Sequence, residues 1–183
     1  MRRNVEWKAR LRDPDAALGA AWAAGAEDEA TLHQRDTYFH AVMGRLKLRE
    51  QPPALAELIQ YDRMDRAGPR TSAYRIVEVL DPAPLREALG AALGIRAVVE
   101  KERRVLLHAG TRIHLDAVDG LGTFAEVEAV VADGERLEDA HARAERWRAL
   151  LGVADEDLLA VSYVDLMERT VSRRGPTSGR SGR

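Results

Sequence analysis

The sequence predicts a mainly-β fold of the α+β class, in which an antiparallel sheet or barrel carries helices on its outside. Three observations predict it. Segments of strand length with alternating apolar and polar residues recur along the chain, helix-start signals are few, and the regular strand–helix alternation that builds parallel sheets is absent. The pattern predicts about eight strands and about three longer helices, and the 183 residues fit one domain.

Strands are predicted where side chains alternate, because a period of two places alternate residues on opposite faces. The clearest case is residues 111–131, two short strands joined by a turn at residues 119–122 whose glycines permit the positive φ of tight turns. This hairpin has one apolar face and one face with three carboxylates. The other predicted strands are residues 3–11, 34–43, 45–49, 56–63, 72–80 and 96–107.

Helix starts are marked twice by an aspartate followed by a proline, at Asp13 and Asp81, since aspartate caps the first turn and proline is tolerated within it. Residues 26–32 are predicted as an acidic linker. Residues 1–171 form the predicted domain, and residues 172–183, rich in Gly, Ser, Pro and Arg, form a tail predicted to be disordered. The predicted helices are residues 13–25, 81–94 and 137–151, with a short helix or turn at 162–168.

Composition excludes several classes of function. The net charge of −2 argues against general nucleic-acid or membrane-surface binding, which both need a basic excess. The chain has no cysteine, so disulfides and thiolate metal sites are excluded. No apolar run approaches the roughly 18 residues of a membrane-spanning helix, and no signal-peptide pattern follows the first residues. We therefore expect a soluble, cytoplasmic protein.

Positive and negative side chains are separated along the sequence. Residues 45–75 contain seven Lys and Arg against four Asp and Glu, whereas residues 116–139 contain one Arg against eight Asp and Glu. Many of these residues recur at strand spacing. The cations at such positions are Lys8, Arg45, Lys47, Arg49, Arg63, Arg75, Lys101 and Arg103, and the carboxylates are Glu6, Asp116, Glu126 and Glu128.

Two arrangements explain this separation. In one, each strand turns its charged face to solvent around an apolar core, and cross-strand ion pairs contribute little to stability. In the other, the charged faces line a wet tunnel, where the repulsion between cations requires a multiply charged anion. Carboxylate oxygens without thiolates suit Mg²⁺ or Mn²⁺, and a triphosphate needs both the cations and the metal. The pattern alone leaves both arrangements open.

Six short motifs occur in order along the chain. They are Asn4-Val5-Glu6-Trp7-Lys8, Gln34-x-Asp36-x-Tyr38-Phe39, Arg45-Leu46-Lys47-Leu48-Arg49-Glu50, Ile113-His114-Leu115-Asp116, Leu121-Gly122-x-Phe124-x-Glu126-x-Glu128 and Ser162-Tyr163-x-Asp165-Leu166. The first is similar to the Glu-x-Glu-x-Lys signature of the CYTH superfamily, the triphosphate tunnel metalloenzymes. The next four resemble that family's second, third, seventh and eighth strands, and the last resembles the C-terminal end of its cyclase-like branch. The resemblance extends to about residue 169.

The resemblance implies a closed, eight-stranded antiparallel barrel whose lumen binds a small-molecule triphosphate, namely inorganic triphosphate, thiamine triphosphate or ATP. It implies a Mg²⁺ or Mn²⁺ cofactor, and it gives Lys8 a catalytic role in orienting the attacking water or the transferred phosphoryl group. The implied phosphate-binding residues are Lys8, Arg45, Lys47, Arg49, Arg63, Arg75, Lys101 and Arg103, and the implied metal ligands are Glu6, Asp116, Glu126 and Glu128. Whether the chain forms a homodimer stays open.

One position departs from the family pattern. The first glutamate of the signature is Asn4, which can ligate a metal through its carbonyl oxygen but with one negative charge fewer. Two-metal catalysis is therefore less strongly implied. His114 and Tyr38 are interpreted as structural residues, because a histidine or tyrosine in a strand is more often a core or rim residue than a ligand.

Three functions follow as hypotheses. The first is a metal-dependent phosphohydrolase that cleaves an inorganic or organic triphosphate. The second is an adenylate cyclase that makes cyclic AMP from ATP on the same scaffold, for which no purine-reading residue is evident. The third is a polyphosphate- or nucleotide-binding module without catalysis, to which Asn4 lends some weight.

Overall fold

The computed structural model describes residues 4–62, 70–71 and 73–174. Within these residues, nine strands form one antiparallel sheet and four α-helices pack around it. The strands are β1 (Asn4–Arg10), β2 (Glu27–Phe39), β3 (Arg45–Glu50), β4 (Ala56–Asp62), β5 (Arg70–Thr71), β6 (Ala73–Val79), β7 (Ile95–His108), β8 (Thr111–Val118) and β9 (Gly122–Val130). The helices are α1 (Pro14–Ala23), α2 (Pro82–Leu93), α3 (Leu137–Leu150) and α4 (Tyr163–Arg174).

The sheet is a strongly curved half-barrel with the strand order β5-β1-β9-β8-β7-β2-β3-β4-β6. Its two edge strands, β5 and β6, are consecutive in the chain. Because Thr71 and Ala73 are two residues apart, the edges approach to within about 7 Å at this point. The predicted mainly-β antiparallel barrel fold is confirmed. Within the described ranges β6 forms no ladder with β1, so the barrel is less completely closed than expected.

The apolar face of β1, β8 and β9 points outward, under α1 and α3. Val5, Trp7 and Ala9 are fully buried there and belong to one cluster with residues of both helices. Trp7 also donates its indole N–H to the carbonyl oxygen of Ala144 in α3, at 2.8 Å. Since side chains alternate along a strand, covering this face leaves the other face of the same strands pointing inward.

The remaining helices cover other parts of the sheet. Leu85 and Leu89 of α2 pack against the outer cluster that contains Leu48 of β3. Tyr163 and Val164, at the start of α4, are buried in a cluster with residues at one end of the half-barrel. We refer to this end as the α4 end. No helix in the described part of the chain is both long enough and apolar enough to cross a membrane.

The structure differs from the sequence prediction in three places. Residues 26–32 were predicted as an acidic linker, but they belong largely to β2. The acidic start of this strand is paired with β7, where Arg104 forms a salt bridge of 2.5 Å with Asp28. Residues 40–43, predicted as strand, follow the end of β2. Helix α4 is longer than predicted and extends through Arg174, while residues 175–183 of the predicted tail lie outside the described residues.

Candidate active site

A cavity of about 390 Å³ lies inside the half-barrel, and all eight long strands contribute residues to its wall. These residues come from alternate positions of each strand, as the pleat of a strand requires. They include most of the charged residues that the sequence pattern singled out. Of the two arrangements considered above, the structure has the one in which the charged faces point inward.

One wall of the cavity is acidic. Glu6 on β1 lies opposite Glu128 on the adjacent β9, and Glu126 lies two residues earlier on the same face. Each of the three side chains has one carboxylate oxygen that lies within 4.8 Å of the corresponding oxygens of the other two. Burial, together with the charges of Glu126 and Glu6, raises the pKa of Glu128 to about 7. Carboxylates packed this closely repel one another, and a divalent cation would relieve that repulsion.

Asn4 adds a fourth oxygen beside this acidic cluster. Its side chain is buried, and its amide donates a long hydrogen bond of 3.5 Å to Glu6. Its Oδ1 atom has no hydrogen-bond partner among the described residues. Carboxylate and amide oxygens are the donors that Mg²⁺ and Mn²⁺ prefer, so the residues present fit such an ion.

Asp116, predicted as a fourth carboxylate ligand, is not brought into this cluster. Its two oxygens accept hydrogen bonds from Arg103 at 2.7 and 2.6 Å and from the Tyr163 hydroxyl at 2.7 Å. The register explains the difference, because Asp116 pairs with Phe124 whereas His114 pairs with Glu126. Asp116 therefore lies one inward position nearer the α4 end and holds Arg103 in place.

The opposite side of the cavity is cationic. Its four cations are Lys47 and Arg49 on β3 and Lys101 and Arg103 on β7, and all but Arg49 are buried. Asp36 on β2 lies between them and is 1% exposed. It accepts hydrogen bonds from Lys47 at 2.7 Å and from Arg49 at 2.8 and 2.9 Å. The sequence analysis assigned no role to Asp36. In the structure Asp36 is paired with Arg49 on the adjacent strand, and this pairing explains its contact with the cations.

Among the described residues, the four cations share the buried carboxylates Asp36 and Asp116 on this side, and Arg103 also reaches Glu126. Lys101 Nζ lies 3.9 Å from an oxygen of Asp36 and 3.9 Å from one of Asp116. Burial and the charge of Arg49 lower the pKa of Lys47 to about 8. Burial and the charge of Arg103 hold the pKa of Lys101 well below its usual value. Burial is the main cause of both lowered pKa values and a neighbouring arginine adds to each, so a bound polyanion would stabilise the charged form of these lysines.

Lys8 lies where the two walls meet. Its Nζ is 3.1 Å from Glu126 Oε2 and 3.5 Å from the centre of the Tyr163 ring. Arg103 contacts the same Glu126 oxygen at 2.7 Å. Lys8 and Arg103 therefore link the acidic cluster to the cationic side, so a bound anion could contact both at once.

Two of the predicted phosphate-binding residues, Arg45 and Arg75, are not brought to the cavity. Arg45 lies at the α4 end, where its guanidinium forms a salt bridge of 2.9 Å with Asp165. Arg75 lies on the outer face of β6, because its neighbours Tyr74 and Ile76 face inward, and it donates to Gln60 at 2.9 Å. Arg63 lies outside the described residues. The remaining five predicted cations line the cavity: Lys8, Lys47, Arg49, Lys101 and Arg103.

His114 and Tyr38, interpreted as structural, also line the cavity. Burial and the charge of Arg103 hold the pKa of His114 well below its usual value. Its Nδ1 atom has no hydrogen-bond partner within the described ranges, and it lies 3.9 Å from Glu128. Tyr38 is buried near Lys47, whose Nζ is 5.5 Å from its ring centre. A neutral imidazole at this position adds no charge to the acidic wall.

Tyr163 closes the α4 end of the cavity. An ion-pair network anchors the helix that carries it: Asp165 accepts hydrogen bonds from Ser162, from Arg45 at 2.9 Å and from Arg96 at 2.8 Å. The sequence motif around Tyr163 was recognised. The contact of Tyr163 with Lys8 was not predicted, because it depends on how α4 packs against the sheet.

Comparisons with known proteins agree with the observed fold. The family model described as the CYTH domain matches residues 2–163. The PH1012 protein from Pyrococcus horikoshii OT3 has a TM-score of 0.79 at 20% identity, covering 89% of this chain and 98% of that one. A candidate adenylate cyclase from Vibrio parahaemolyticus has a TM-score of 0.73 at 19% identity, covering 90% and 97%.

A third similar structure is HpAC1 from Hippeastrum, a candidate adenylyl cyclase described as having a dominant triphosphatase activity. Its TM-score is 0.63 at 16% identity, and the match covers 91% of this chain and 96% of that one. At these identities the three structures establish the fold alone. Among curated proteins, none has a sequence that matches this chain.

Proposed function

The chain belongs to the CYTH family, and on this premise we propose that it is a metal-dependent phosphohydrolase that cleaves a triphosphate bound in the cavity. One observation carries the proposal. Three carboxylates whose oxygens lie within 4.8 Å of one another share a single 390 Å³ cavity with a set of buried cations. Hydrolysis of a triphosphate needs both charge neutralisation of the phosphates and a site for a divalent metal.

The cationic side binds the substrate in this proposal. Arg49 and Arg103 can each present two N–H donors to phosphate oxygens, and Lys47 and Lys101 add point charges. Asp36 and Asp116 already hold these side chains in place, so little reorganisation accompanies binding. Preorganised donors of this kind stabilise developing charge more effectively than mobile ones.

The acidic cluster would hold Mg²⁺ or Mn²⁺, with Glu6, Glu126 and Glu128 as ligands and Asn4 Oδ1 beside them. The bound ion supplies charge neutralisation at the phosphate oxygens and orientation of the reacting groups. Because Asn4 stands where a fourth carboxylate would add a negative charge, a second metal ion would be held less tightly, and the site favours one ion.

Lys8 is the proposed catalytic residue. Its ammonium is held at 3.1 Å from Glu126, between the cluster and the cationic side. From this position it can contact the terminal phosphoryl group or the water that attacks it. Alignment of those two groups is a large part of the barrier to phosphoryl transfer.

The test is to measure phosphate release and cyclic AMP formation side by side, with inorganic triphosphate, thiamine triphosphate and ATP, in Mg²⁺ and in Mn²⁺. The proposal predicts metal-dependent phosphate release without cyclic nucleotide, and its loss in a Glu126→Gln variant that remains folded. Cyclic AMP from ATP would overturn it in favour of a cyclase. Triphosphate binding without turnover would overturn it in favour of a binding module.

A further inference from the structure

One part of the cavity wall is apolar, in contrast to the acidic wall and the cationic side. It is formed by four inward-facing residues on the adjacent strands β4 and β6: Ile59, Tyr61, Tyr74 and Ile76. Ile59 lies directly opposite Ile76, and Tyr61 lies directly opposite Tyr74. The four side chains therefore form a two-by-two patch, which we call the β4–β6 wall.

The core does not account for this wall. Among the described residues, Ile59, Tyr74 and Ile76 belong to none of the three buried hydrophobic clusters. Ile76 is 47% exposed even though it faces the cavity. Ile59 is already buried, and Tyr61 packs against the cluster at the α4 end. Ile76 therefore gives the wall apolar surface that faces the cavity and that a ligand could cover.

The wall lies next to the cations that would hold the phosphates. Lys47 on β3 lies directly opposite Ile59 on β4, and its Nζ is 6.0 Å from the centre of the Tyr61 ring. Arg49 follows on the same inward face of β3. A group attached to a phosphate held by Lys47 and Arg49 would therefore reach the β4–β6 wall without leaving the cavity.

From these contacts we infer that the β4–β6 wall binds the organic part of the substrate, and that the substrate is an organic triphosphate with a planar ring. The inference rests on the proposed function and specifies its substrate class. Aromatic and aliphatic side chains pack well against the face of a ring. Inorganic triphosphate has no apolar surface and would leave the wall uncovered. Nucleoside triphosphates and thiamine triphosphate both contain a planar ring. An apolar wall binds the flat face of a ring rather than its hydrogen-bonding groups, so both belong to the inferred substrate class.

The experiment compares two variants of neighbouring residues on β6. Ile76→Ser removes the inward aliphatic side chain, and Val77→Ser is the matched control, because Val77 is 59% exposed on the opposite face. The two substitutions carry a similar loss of strand propensity. Thermal unfolding is followed during separate titrations with ATP, thiamine triphosphate and inorganic triphosphate, with EDTA present so that no metal-dependent turnover occurs.

In the Ile76→Ser variant, the concentration of ATP or thiamine triphosphate needed for half-maximal stabilisation should rise by about tenfold, the usual effect of losing one buried aliphatic contact. The value for inorganic triphosphate should not change, and Val77→Ser should behave as wild type with all three ligands. A Tyr74→Ser variant should repeat the selective loss. A rise for one organic ligand only would identify the ring that the wall accepts.

Equal weakening of all three ligands, or no change for any of them, would overturn the inference while leaving the proposed function intact. Failure of the proposed function is measured separately, in the turnover assay: cyclic AMP made from ATP, or a triphosphate bound without turnover, would overturn the hydrolase and leave the wall as the site of the ring. A third outcome is that no triphosphate stabilises the wild-type protein. In that case the assignment of the wall is overturned as well.

Discussion

Lys8 on β1 donates to Glu126 on the neighbouring strand β9, with 3.1 Å between Nζ and Oε2. Both side chains are buried. The pair joins the acidic cluster to the cationic side of the cavity and places an ammonium group where the two sets of charges meet. This relationship makes Lys8 the residue most directly tied to the proposed chemistry.

A Lys8→Met variant tests that role, because methionine keeps most of the length and volume of lysine but has no charge. We expect kcat to fall on the order of 100-fold, the usual effect of removing one preorganised charged donor. The affinity for the triphosphate should fall much less, since four other cations remain. Steady-state kinetics measure the first quantity, and thermal stabilisation by the triphosphate measures the second. A folded variant that keeps wild-type kcat would remove Lys8 from the mechanism.

Substitution of Glu128 tests the metal site. Among the described residues, Glu128 lies 3.7 Å from Arg112 and 3.9 Å from the neutral imidazole of His114. Both distances are too long for a hydrogen bond, so Glu128→Gln removes one ligand with little other change. We expect Mn²⁺ to bind about tenfold or more weakly, as measured by calorimetric titration or by the spin-resonance signal of free Mn²⁺. Glu100→Gln, on the outer face of β7, is the matched control and should bind Mn²⁺ as wild type does. Equal affinities in both variants would place the metal elsewhere.

Asp36 tests the balance of charge on the cationic side. Burial alone would raise the pKa of Asp36, but the charges of Arg49, Lys47 and Lys101 hold it well below its usual value. An Asp36→Asn variant leaves these cations buried without their shared carboxylate, and we expect it to lose about 3–5 kcal/mol of unfolding free energy.

A bound triphosphate would replace the missing negative charge in Asp36→Asn. The increase in melting temperature on adding triphosphate should therefore be larger for this variant than for wild type, measured at the same ligand concentration. If the variant gains no more than wild type, the cations near Asp36 do not contact the anion.

The pH dependence of binding follows from Lys47. Burial and Arg49 lower its pKa to about 8 in the free protein, so it is protonated below this pH and increasingly neutral above it. A bound anion raises the pKa again, because it favours the charged form. Affinity for the triphosphate should therefore fall as the pH rises above about 8.

The same reasoning predicts that binding at pH 8 takes up protons. Calorimetric titrations in two buffers with different ionisation enthalpies measure this uptake directly. A Lys47→Met variant should take up fewer protons than wild type, which separates the contribution of Lys47 from that of the ligand itself. Uptake that is unchanged in this variant would contradict the assignment.

The sequence predicted the strands better than it predicted the relations between them. The hairpin of β8 and β9 was visible because its alternation is unbroken and its turn contains two glycines. Alternation separates two faces, however, and does not say which face is inside. Only the packing of Trp7 and its neighbours under α1 and α3 settles that the charged faces line the cavity.

The site residues that were misplaced or missed depend on relations between strands, which the pattern of one strand does not contain. Asp116 and Glu126 are on inward faces of adjacent strands, but the pairing of His114 with Glu126 moves Asp116 toward the α4 end. Arg75 was misplaced because the face of β6 that points inward could not be read from its own pattern. Asp36 was missed because its role depends on cations contributed by β3 and β7. The first residues of β2 were not predicted as strand, because their acidic side chains are typical of a linker.

The most direct test of the account is a crystal structure of the protein with Mn²⁺ and a non-hydrolysable triphosphate analogue. The account predicts an anomalous peak for Mn²⁺ beside Glu6, Glu126 and Glu128, and phosphate density between that ion and the side chains of Lys47, Arg49, Lys101 and Arg103. Manganese bound away from the three carboxylates, or an analogue bound outside the cavity, would contradict it.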